Sequence, residues 1–181
     1  MLSPVSAEPS KDDVIARVYD VTGKGLQLKR EGKSDWEKGK KDSAGFIRDH
    51  FKTDPKTSAA LELLIGARLG IKPGTEIVLL DEDEAGQVTN DKKVRKIALN
   101  SGTVYAKFNK QETPLKIQTR GGVMGIKGTE FEVETADNGE TSVMLLEGSV
   151  DYQDRKGQQN DLVPGQKLTQ FEKDGELHTV K

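Results

Sequence analysis

The residues of this chain that most resemble a chemical site are four closely spaced glycines, Gly121, Gly122, Gly125 and Gly128. Glycine-rich loops bind phosphate when their backbone N–H groups open into the N-terminus of a helix. Here the loop runs into residues 130–134, whose alternation of charged and apolar side chains predicts a strand. The spacing fits neither the P-loop nor the dinucleotide fingerprint. We therefore expect a structural loop, in which glycine allows positive φ or a close crossing of backbones.

Three carboxylates lie on that predicted strand, at Glu130, Glu132 and Glu134. Alternate positions place them about 7 Å apart on one face of the sheet. A glycosidase needs two carboxyl groups on opposing elements of a cleft, so a cross-strand ladder of charges is the better interpretation. The chain has no Gly-x-Ser-x-Gly elbow and no cysteine to serve as a nucleophile. We predict no catalytic residue and no enzyme activity.

Candidate metal ligands are also sparse. Residues 81–86 begin like a calcium loop, but Ala85 lacks the required oxygen and Lys92 replaces the bidentate glutamate. His50 and His178 lie far apart without a companion at ligand spacing. These features predict a solvated acidic loop, two isolated histidines, and neither a metal nor a cofactor.

The single tryptophan, Trp36, could anchor a sugar or a protein partner. Because Lys38, Lys40 and Lys41 follow it closely, a half-buried position at a strand edge is the safer interpretation. The net charge of −2 lacks the basic footprint of a nucleic-acid-binding protein, and an aromatic content of 5% offers few platforms for stacking bases. We expect no nucleic-acid partner.

Short apolar runs separated by glycine and proline turns predict an all-β fold, a twisted β-solenoid-like or sandwich arrangement of mostly antiparallel strands. At 181 residues the chain is long enough for one core, and it has no apolar run of about 18 residues that could span a bilayer. The predicted strands are Val14–Val21, Leu26–Lys29, Phe46–Phe51, Ile77–Leu80, Val94–Leu99, Thr103–Phe108, Leu115–Thr119, Thr129–Glu134, Ser142–Leu146, Ser149–Tyr152 and Lys167–Phe171. The predicted turns are Gly23–Gly25, Pro73-Gly74, Asn138-Gly139, Pro164-Gly165 and Asp174-Gly175, and Asp81–Lys93 is the longest predicted loop.

One segment, Ser58–Leu69, is ambiguous between helix and strand. Its apolar residues fit a helical spacing, but Leu61, Leu63 and Ile65 also alternate, and Gly66 interrupts the pattern. We predict two strands that turn at Gly66-Ala67.

The chain also contains a repeat. Gly70–Ile77 is echoed by Gly125–Phe131, and a Leu-x-x-Gly-x-Val motif follows each copy, at Leu99–Val104 and Leu145–Val150. Two matches in the same order predict two similar stacked units, roughly residues 14–108 and 109–181.

The first 13 residues carry proline, polar residues and small side chains such as Val5 and Ala7. This composition fits either a disordered tail or the end of a secretory signal peptide. The absence of cysteine leaves the redox compartment open.

The sequence resembles the FecR domain family. The resemblance rests on the runs 119–133, 141–150 and 163–166, with support from Trp36, Ser58–Leu63 and Pro73–Ile77, and it departs from the family pattern at Asp42–Thr57. The residues that carry the motif, which we interpret as structural, are Thr119, Gly125, Lys127, Gly128, Thr129, Phe131, Glu147, Gly148, Gly165 and Gln166.

The resemblance implies an extracytoplasmic bacterial domain, periplasmic or secreted, that binds an envelope protein and catalyses nothing. Two alternatives stay open. One is a glycan or cell-wall binding module, with Trp36 or Tyr105 in contact with sugar. The other is the periplasmic signal-receiving part of an anti-sigma regulator of iron uptake, which would require a membrane helix and a cytoplasmic segment before Met1.

Overall fold

The computed structural model describes residues 13–81, 96–107, 115–173 and 176–180. Within these ranges the chain forms fifteen strands and no α-helix, which confirms the all-β class, and it offers no helix that could cross a membrane. The strands are β1 (Ala16–Thr22), β2 (Leu26–Lys29), β3 (Glu37–Lys38), β4 (Ala44–Gly45), β5 (His50–Thr53), β6 (Ser58–Leu63), β7 (Arg68–Ile71), β8 (Glu76–Leu80), β9 (Lys96–Lys107), β10 (Leu115–Gln118), β11 (Gly122–Thr135), β12 (Thr141–Asp154), β13 (Gln159–Leu162), β14 (Lys167–Lys173) and β15 (Glu176–Val180).

The sheet bends along one line, because its long strands change partners part-way along. In β9, Lys96–Ser101 pairs with β8 and Val104–Lys107 pairs with β7, and Gly102 lies between them with φ +88°. Similarly, β12 pairs with β14 before Gly148, which has φ +89°, and with β13 after it. A positive φ favours glycine, so each glycine bends its strand where another residue would be strained.

The bend divides the sheet into two halves. We call half I the strand sequence β4-β1-β6-β7-β9-β11-β12-β14-β15, and half II the sequence β3-β2-β5-β8-β9-β10-β11-β12-β13. The strands β9, β11 and β12 belong to both halves. In half I β9 pairs directly with β11, whereas in half II β10 lies between them, parallel to β9.

Buried threonines join neighbouring strands along the bend. The Thr53 hydroxyl donates to the Lys72 carbonyl at 2.7 Å and accepts the Thr75 N–H at 3.1 Å. The Thr75 hydroxyl accepts the Thr103 N–H at 2.9 Å, and that of Thr57 accepts the Gly25 N–H at 2.8 Å. These hydroxyls satisfy backbone groups that the bend removes from the regular ladders.

The two halves share one hydrophobic core. Strands expose alternate residues to it, as in β6, where Leu61 and Leu63 are buried and Glu62 is exposed. The halves approach closely at Gly45 of half I, where a Cβ atom would lie 2.8 Å from the Phe51 ring of half II. Glycine at this position therefore permits the contact.

Several predicted elements match the structure and others do not. The segment Ser58–Leu69 forms the antiparallel pair β6–β7 with Gly66 at φ +80°, as predicted. The predicted strand Phe46–Phe51 is wrong over its first four residues, and β5 begins only at His50. Residues 46–49 form a turn in which Arg48 has φ +63° and the Asp49 carboxylate accepts the Phe46 N–H at 3.0 Å.

Two predicted breaks are also wrong. The described parts of two predicted strands, residues 96–99 and 103–107, belong to one strand, β9, and Ser142–Leu146 and Ser149–Tyr152 merge into β12, because the intervening glycines bend the strands without ending them. Residues 94, 95 and 108 of the first two predicted strands lie outside the described residues. The strands β3, β4, β13 and β15 were not predicted. The tail before residue 13, residues 82–93 of the predicted long loop, and the turn Asp174-Gly175 lie outside the described residues.

The predicted repeat is only partly reflected in the local structure. Gly70–Ile77 forms the end of β7, a turn and the start of β8, whereas Gly125–Phe131 lies within β11. The other pair is more alike, since Leu99–Val104 and Leu145–Val150 both contain a positive-φ glycine inside a long strand. The two-unit repeat and the division near residue 108 stay predictions.

Candidate interaction surfaces

The glycine loop is filled by the protein itself. The Thr119 hydroxyl accepts the N–H groups of Gly121 and Gly122 at 3.2 and 3.3 Å. A Cβ atom on Gly121 would lie 1.9 Å from Gln170 Oε1, and one on Gly122 would lie 2.2 Å from the Gln153 carbonyl. Neither glycine has a positive φ. The glycines therefore serve a close approach of chain segments, one of the two roles predicted for them.

Below this loop a buried pair joins β12 to β14. The Tyr152 hydroxyl donates to Gln170 Oε1, and both side chains are almost completely buried. Burial raises the pKa of Tyr152 well above that of a free phenol, with a smaller contribution from the charge of Asp154. The phenol is therefore a permanent hydrogen-bond donor at physiological pH.

The remaining motif residues lie on β11, on β12 and on the turn after β13. Phe131 of β11 is fully buried, and Glu147 and Gly148 lie at the bend of β12. The Gly165 N–H donates to the Leu145 carbonyl at 2.9 Å, and Gln166 Oε1 accepts the Val163 N–H at 3.1 Å. The others, Gly125, Lys127, Gly128 and Thr129, belong to β11.

The outer surface of half I carries paired charges, and we call it the ladder face. Lys107 contacts Glu130 at 2.8 Å, and Lys72 contacts Glu132 at 2.5 Å. These contacts confirm the predicted cross-strand charge ladder at Glu130 and Glu132 of β11. Further along the same surface Arg68 pairs with Glu62 at 3.5 Å.

Hydrogen bonds set the protonation of the ladder. Bonds from Lys107 and Tyr105 lower the pKa of Glu130, and the bond to Glu130 raises the pKa values of both donors. Tyr105 donates its hydroxyl to Glu130 at 2.5 Å. At neutral pH the three groups are therefore held as carboxylate, ammonium and phenol, and their charges are mutually compensated.

The outer surface of half II is different, and we call the part around Trp36 the tryptophan face. Trp36 is half-buried, next to β3, as predicted. The ammonium groups of Lys29 and Lys52 lie 5.0 and 5.7 Å from its ring centroid, and the His50 ring meets it edge-on at 6.2 Å. These are cation–π and aromatic contacts of ordinary geometry.

A cavity of about 480 Å³ lies beside the tryptophan ring, open to solvent, with the lining residues Lys24, Gly25, Leu26, Gln27, Trp36, Lys38 and Asp54. The one carboxylate in this lining, Asp54, accepts the Lys56 N–H at 2.9 Å. This bond, together with one from Thr57, lowers the pKa of Asp54. The carboxylate is thus bound into the turn between β5 and β6.

A buried ion pair fixes the loop that carries Trp36. Arg30 binds the buried Asp49 carboxylate, donates to the Ala44 carbonyl at 2.9 Å, and pairs with Glu37 of β3 at 2.8 Å. Burial raises the pKa of Asp49, although the Phe46 N–H and Arg30 act in the opposite direction. Arg30 therefore connects β2, β3, β4 and the turn before β5.

The histidines have protein partners. His50 Nδ1 lies 3.3 Å from the Glu76 carboxylate, and His178 stacks on Phe171 with the ring centroids 5.5 Å apart. In the described ranges there is no group of three or more potential metal ligands.

Apolar side chains reach the surface near one end of the sheet. The exposed residues Met144, Leu146, Val163 and Val180 lie on β12, on the turn after β13 and on β15, a region we call the C-terminal corner. Within the described residues β15 pairs only with β14, so its other edge is open. Sequence reasoning missed this corner because the polar β13 and β15 were not predicted. The alternation of Met144 and Leu146 with the buried Val143 and Leu145 was a usable signal.

Two solved structures share this fold. Both are described as an anti-sigma factor candidate from Parabacteroides distasonis ATCC 8503, at 1.65 and 2.50 Å resolution. They are 18% and 17% identical to this chain, and each has a TM-score of 0.59. The match covers 72% of this chain but only 58% of theirs.

No curated protein matches the chain in sequence. The family described as FecR protein matches residues 49–151, which is more than half of the chain and includes β5 to β12 up to Asp151. This match confirms the resemblance found in the motif residues. The chain belongs to the FecR protein family.

Proposed function

We propose that this chain is a partner-binding domain of a bacterial signalling regulator, exported to the periplasm or secreted, and that it catalyses no reaction. Its membership of the FecR family and its likeness in fold to anti-sigma factor candidates support a role associated with signalling regulators. The chain spans 58% of the length of those solved structures.

The observation that carries the proposal is the C-terminal corner. There Met144 is 40% exposed and Leu146 is 47% exposed, on the outer side of β12. By register Met144 lies opposite Lys167, and Thr169 lies opposite the exposed Val180 of the open edge strand. An open edge supplies backbone hydrogen bonds to an added strand, and the neighbouring apolar side chains supply buried area.

The same geometry favours a protein over a small substrate. The corner is an edge strand with exposed apolar side chains, whereas small-molecule sites are concave and enclose most of their ligand. A strand of a partner added to β15 would extend half I without rearranging its core. We therefore propose that the envelope partner binds at this corner.

Photocrosslinking in living cells tests the proposal. A photoreactive amino acid at Met144 should yield a discrete crosslinked envelope protein. The matched control replaces Glu62, an exposed residue on the ladder face of the same sheet half, and should yield much less of that product. Equal crosslinking from the two positions, or none from Met144, would contradict the proposed surface.

Export of the protein can be tested by cysteine labelling. An accessibility label that cannot cross the inner membrane should modify a cysteine introduced at the exposed Leu64 in intact cells, since the native chain has no cysteine. Labelling only after lysis would contradict export.

The path of the strands can be described in more detail. We propose that the bent strands follow a β-solenoid-like path in which each chain segment passes from one half of the sheet to the other. The positive-φ glycines at the bends of β9 and β12 support this description.

A further inference from the structure

The tryptophan face has an excess of positive charge. Among the described residues, Lys24, Lys29 and Lys38 form no ion pair, and Lys52 reaches a carboxylate only at 4.0 Å, on Glu76. Asp54, the acidic residue of the cavity, is already engaged by backbone N–H groups. The potential in the cavity therefore favours an anion.

The ring of Trp36 orders two of these lysines, Lys29 and Lys52. Two ammonium groups lie over it at 5.0 and 5.7 Å, which holds their side chains beside the cavity. A ring occupied in this way is a poor stacking platform for a neutral sugar, which binds an aromatic face directly. The arrangement therefore favours recognition of negative charge.

The neighbouring edge of β3 offers backbone hydrogen bonds. The Gly39 N–H donates to the Leu26 carbonyl at 2.8 Å, and Gln27 lies opposite Lys38 in the β2–β3 register. Because antiparallel pairs alternate, the N–H and C=O groups of Trp36 and Lys38 point away from β2. Among the described residues β3 has no second neighbouring strand.

We propose that the tryptophan face binds an extended acidic peptide, which adds to the open edge of β3 and directs carboxylates toward Lys38 and Lys29. Alternate residues of an extended chain lie about 7 Å apart on one side, so a peptide with every second residue acidic presents a row of carboxylates to this surface. The site goes beyond the proposed function, because it lies on the other half of the sheet from the C-terminal corner. Trp36 and Lys38 also lie outside the residues that match the FecR family.

The probe is a capped heptapeptide of alternating threonine and glutamate. Because the chain has one tryptophan, titration of the peptide should change the emission of Trp36 alone. Charge attraction between exposed groups is screened by salt, so we expect affinity to fall by about tenfold or more between 20 and 300 mM NaCl. The same peptide with glutamine in place of glutamate should not bind.

Two charge-reversal variants distinguish binding at the tryptophan face from nonspecific electrostatic attraction to the protein. Lys38→Glu should weaken binding by about tenfold or more, because it removes a cation and adds an anion at the edge. Lys167→Glu, an equal change of charge on the exposed strand β14 of half I, should leave affinity unchanged within about twofold. Circular dichroism should show that both variants remain folded. Equal weakening by both variants would overturn the assignment.

A third arm tests strand addition. N-methylation of alternate residues of the acidic peptide blocks its backbone donors and should abolish binding. Retained binding of the methylated peptide, or tighter binding of polygalacturonate or polyphosphate than of the peptide, would overturn the proposal in favour of a general anion site. Absence of any binding at millimolar peptide would overturn it outright.

Discussion

The ladder face and the tryptophan face carry the same kinds of charged residue but differ in whether those charges are paired. On the ladder face, Lys72 and Lys107 each contact a glutamate of β11 within 2.8 Å. On the tryptophan face, Lys29 and Lys38 have no carboxylate partner among the described residues, and Trp36 holds part of the charge in place. One face has compensated charges and the other has available charges.

This difference indicates where a charged partner would bind. A compensated pair must be separated and dehydrated before either group can contact a new partner, which offsets most of the gain. Lysines without carboxylate partners attract anions without that loss and raise the association rate. The net charge of the whole chain, −2, does not reveal this difference between the two faces.

Both faces depend on the bend between the two sheet halves, and Gly102 is a direct way to disturb it. A Cβ atom there would lie 2.4 Å from Thr75 Oγ1 and 2.6 Å from the Gly74 carbonyl, at a φ of +88°. Backbone strain and overpacking together should make Gly102→Ala lower the free energy of unfolding by ~3 kcal/mol. Urea unfolding followed by circular dichroism measures this value.

The matched control is Gly66→Ala, where φ is +80° but no atom lies within 4 Å of the added Cβ. Only backbone strain remains at that position, and the expected loss is ~1 kcal/mol. Equal losses for the two variants would contradict the crowding that we describe at the bend.

A second variant disturbs the tryptophan face alone. Arg30→Ala leaves the Asp49 carboxylate buried without its ion pair, and should lower the free energy of unfolding by about 2 kcal/mol at pH 7. It should also shift Trp36 emission, because Arg30 holds Glu37 in the strand beside Trp36. The exposed pair Arg155–Glu172 is the control, and Arg155→Ala should cost less than about 0.5 kcal/mol and leave the emission unchanged.

The loss of stability in Arg30→Ala should depend on pH. Asp49 already has a raised pKa in the folded protein, and loss of Arg30 raises it further. A group with a raised folded-state pKa stabilises the fold below its unfolded pKa, and this contribution is lost as pH rises through the folded pKa. The deficit of Arg30→Ala should therefore be smaller at pH 4 than at pH 7. A deficit independent of pH would contradict an unpaired buried carboxylate at Asp49.

The ladder face was predictable and the tryptophan face was not, for a physical reason. Alternation along one strand is enough to place Glu130 and Glu132 together on a wet face, and cross-strand cations complete the pattern. The tryptophan face requires residues from β2, β3 and β5, brought together by Arg30 and by a turn at residues 46–49. No periodicity encodes a turn in which Arg48 takes a positive φ.

The bend shows a related limit of sequence reasoning. The motifs around Gly102 and Gly148 were recognised, but a glycine between two apolar runs was interpreted as the end of a strand. In the structure both glycines have positive φ and their strands continue past the bend. Whether such a glycine ends a strand depends on the partners across it, here β7 and β8 for β9, and those partners are set by tertiary pairing.

The smallest expected effect concerns the ion pair between Lys72 and Glu132 on the ladder face. A double-mutant cycle of Lys72→Met and Glu132→Gln should give a coupling energy of about 0.5 kcal/mol at low ionic strength, since both side chains remain partly exposed. The coupling should fall toward zero in 1 M NaCl, where charges are screened within about 3 Å. The acidic peptide should bind all the cycle variants as it binds the native chain, because none alters the tryptophan face. A change in peptide affinity within this cycle would mean that the two faces are not independent surfaces.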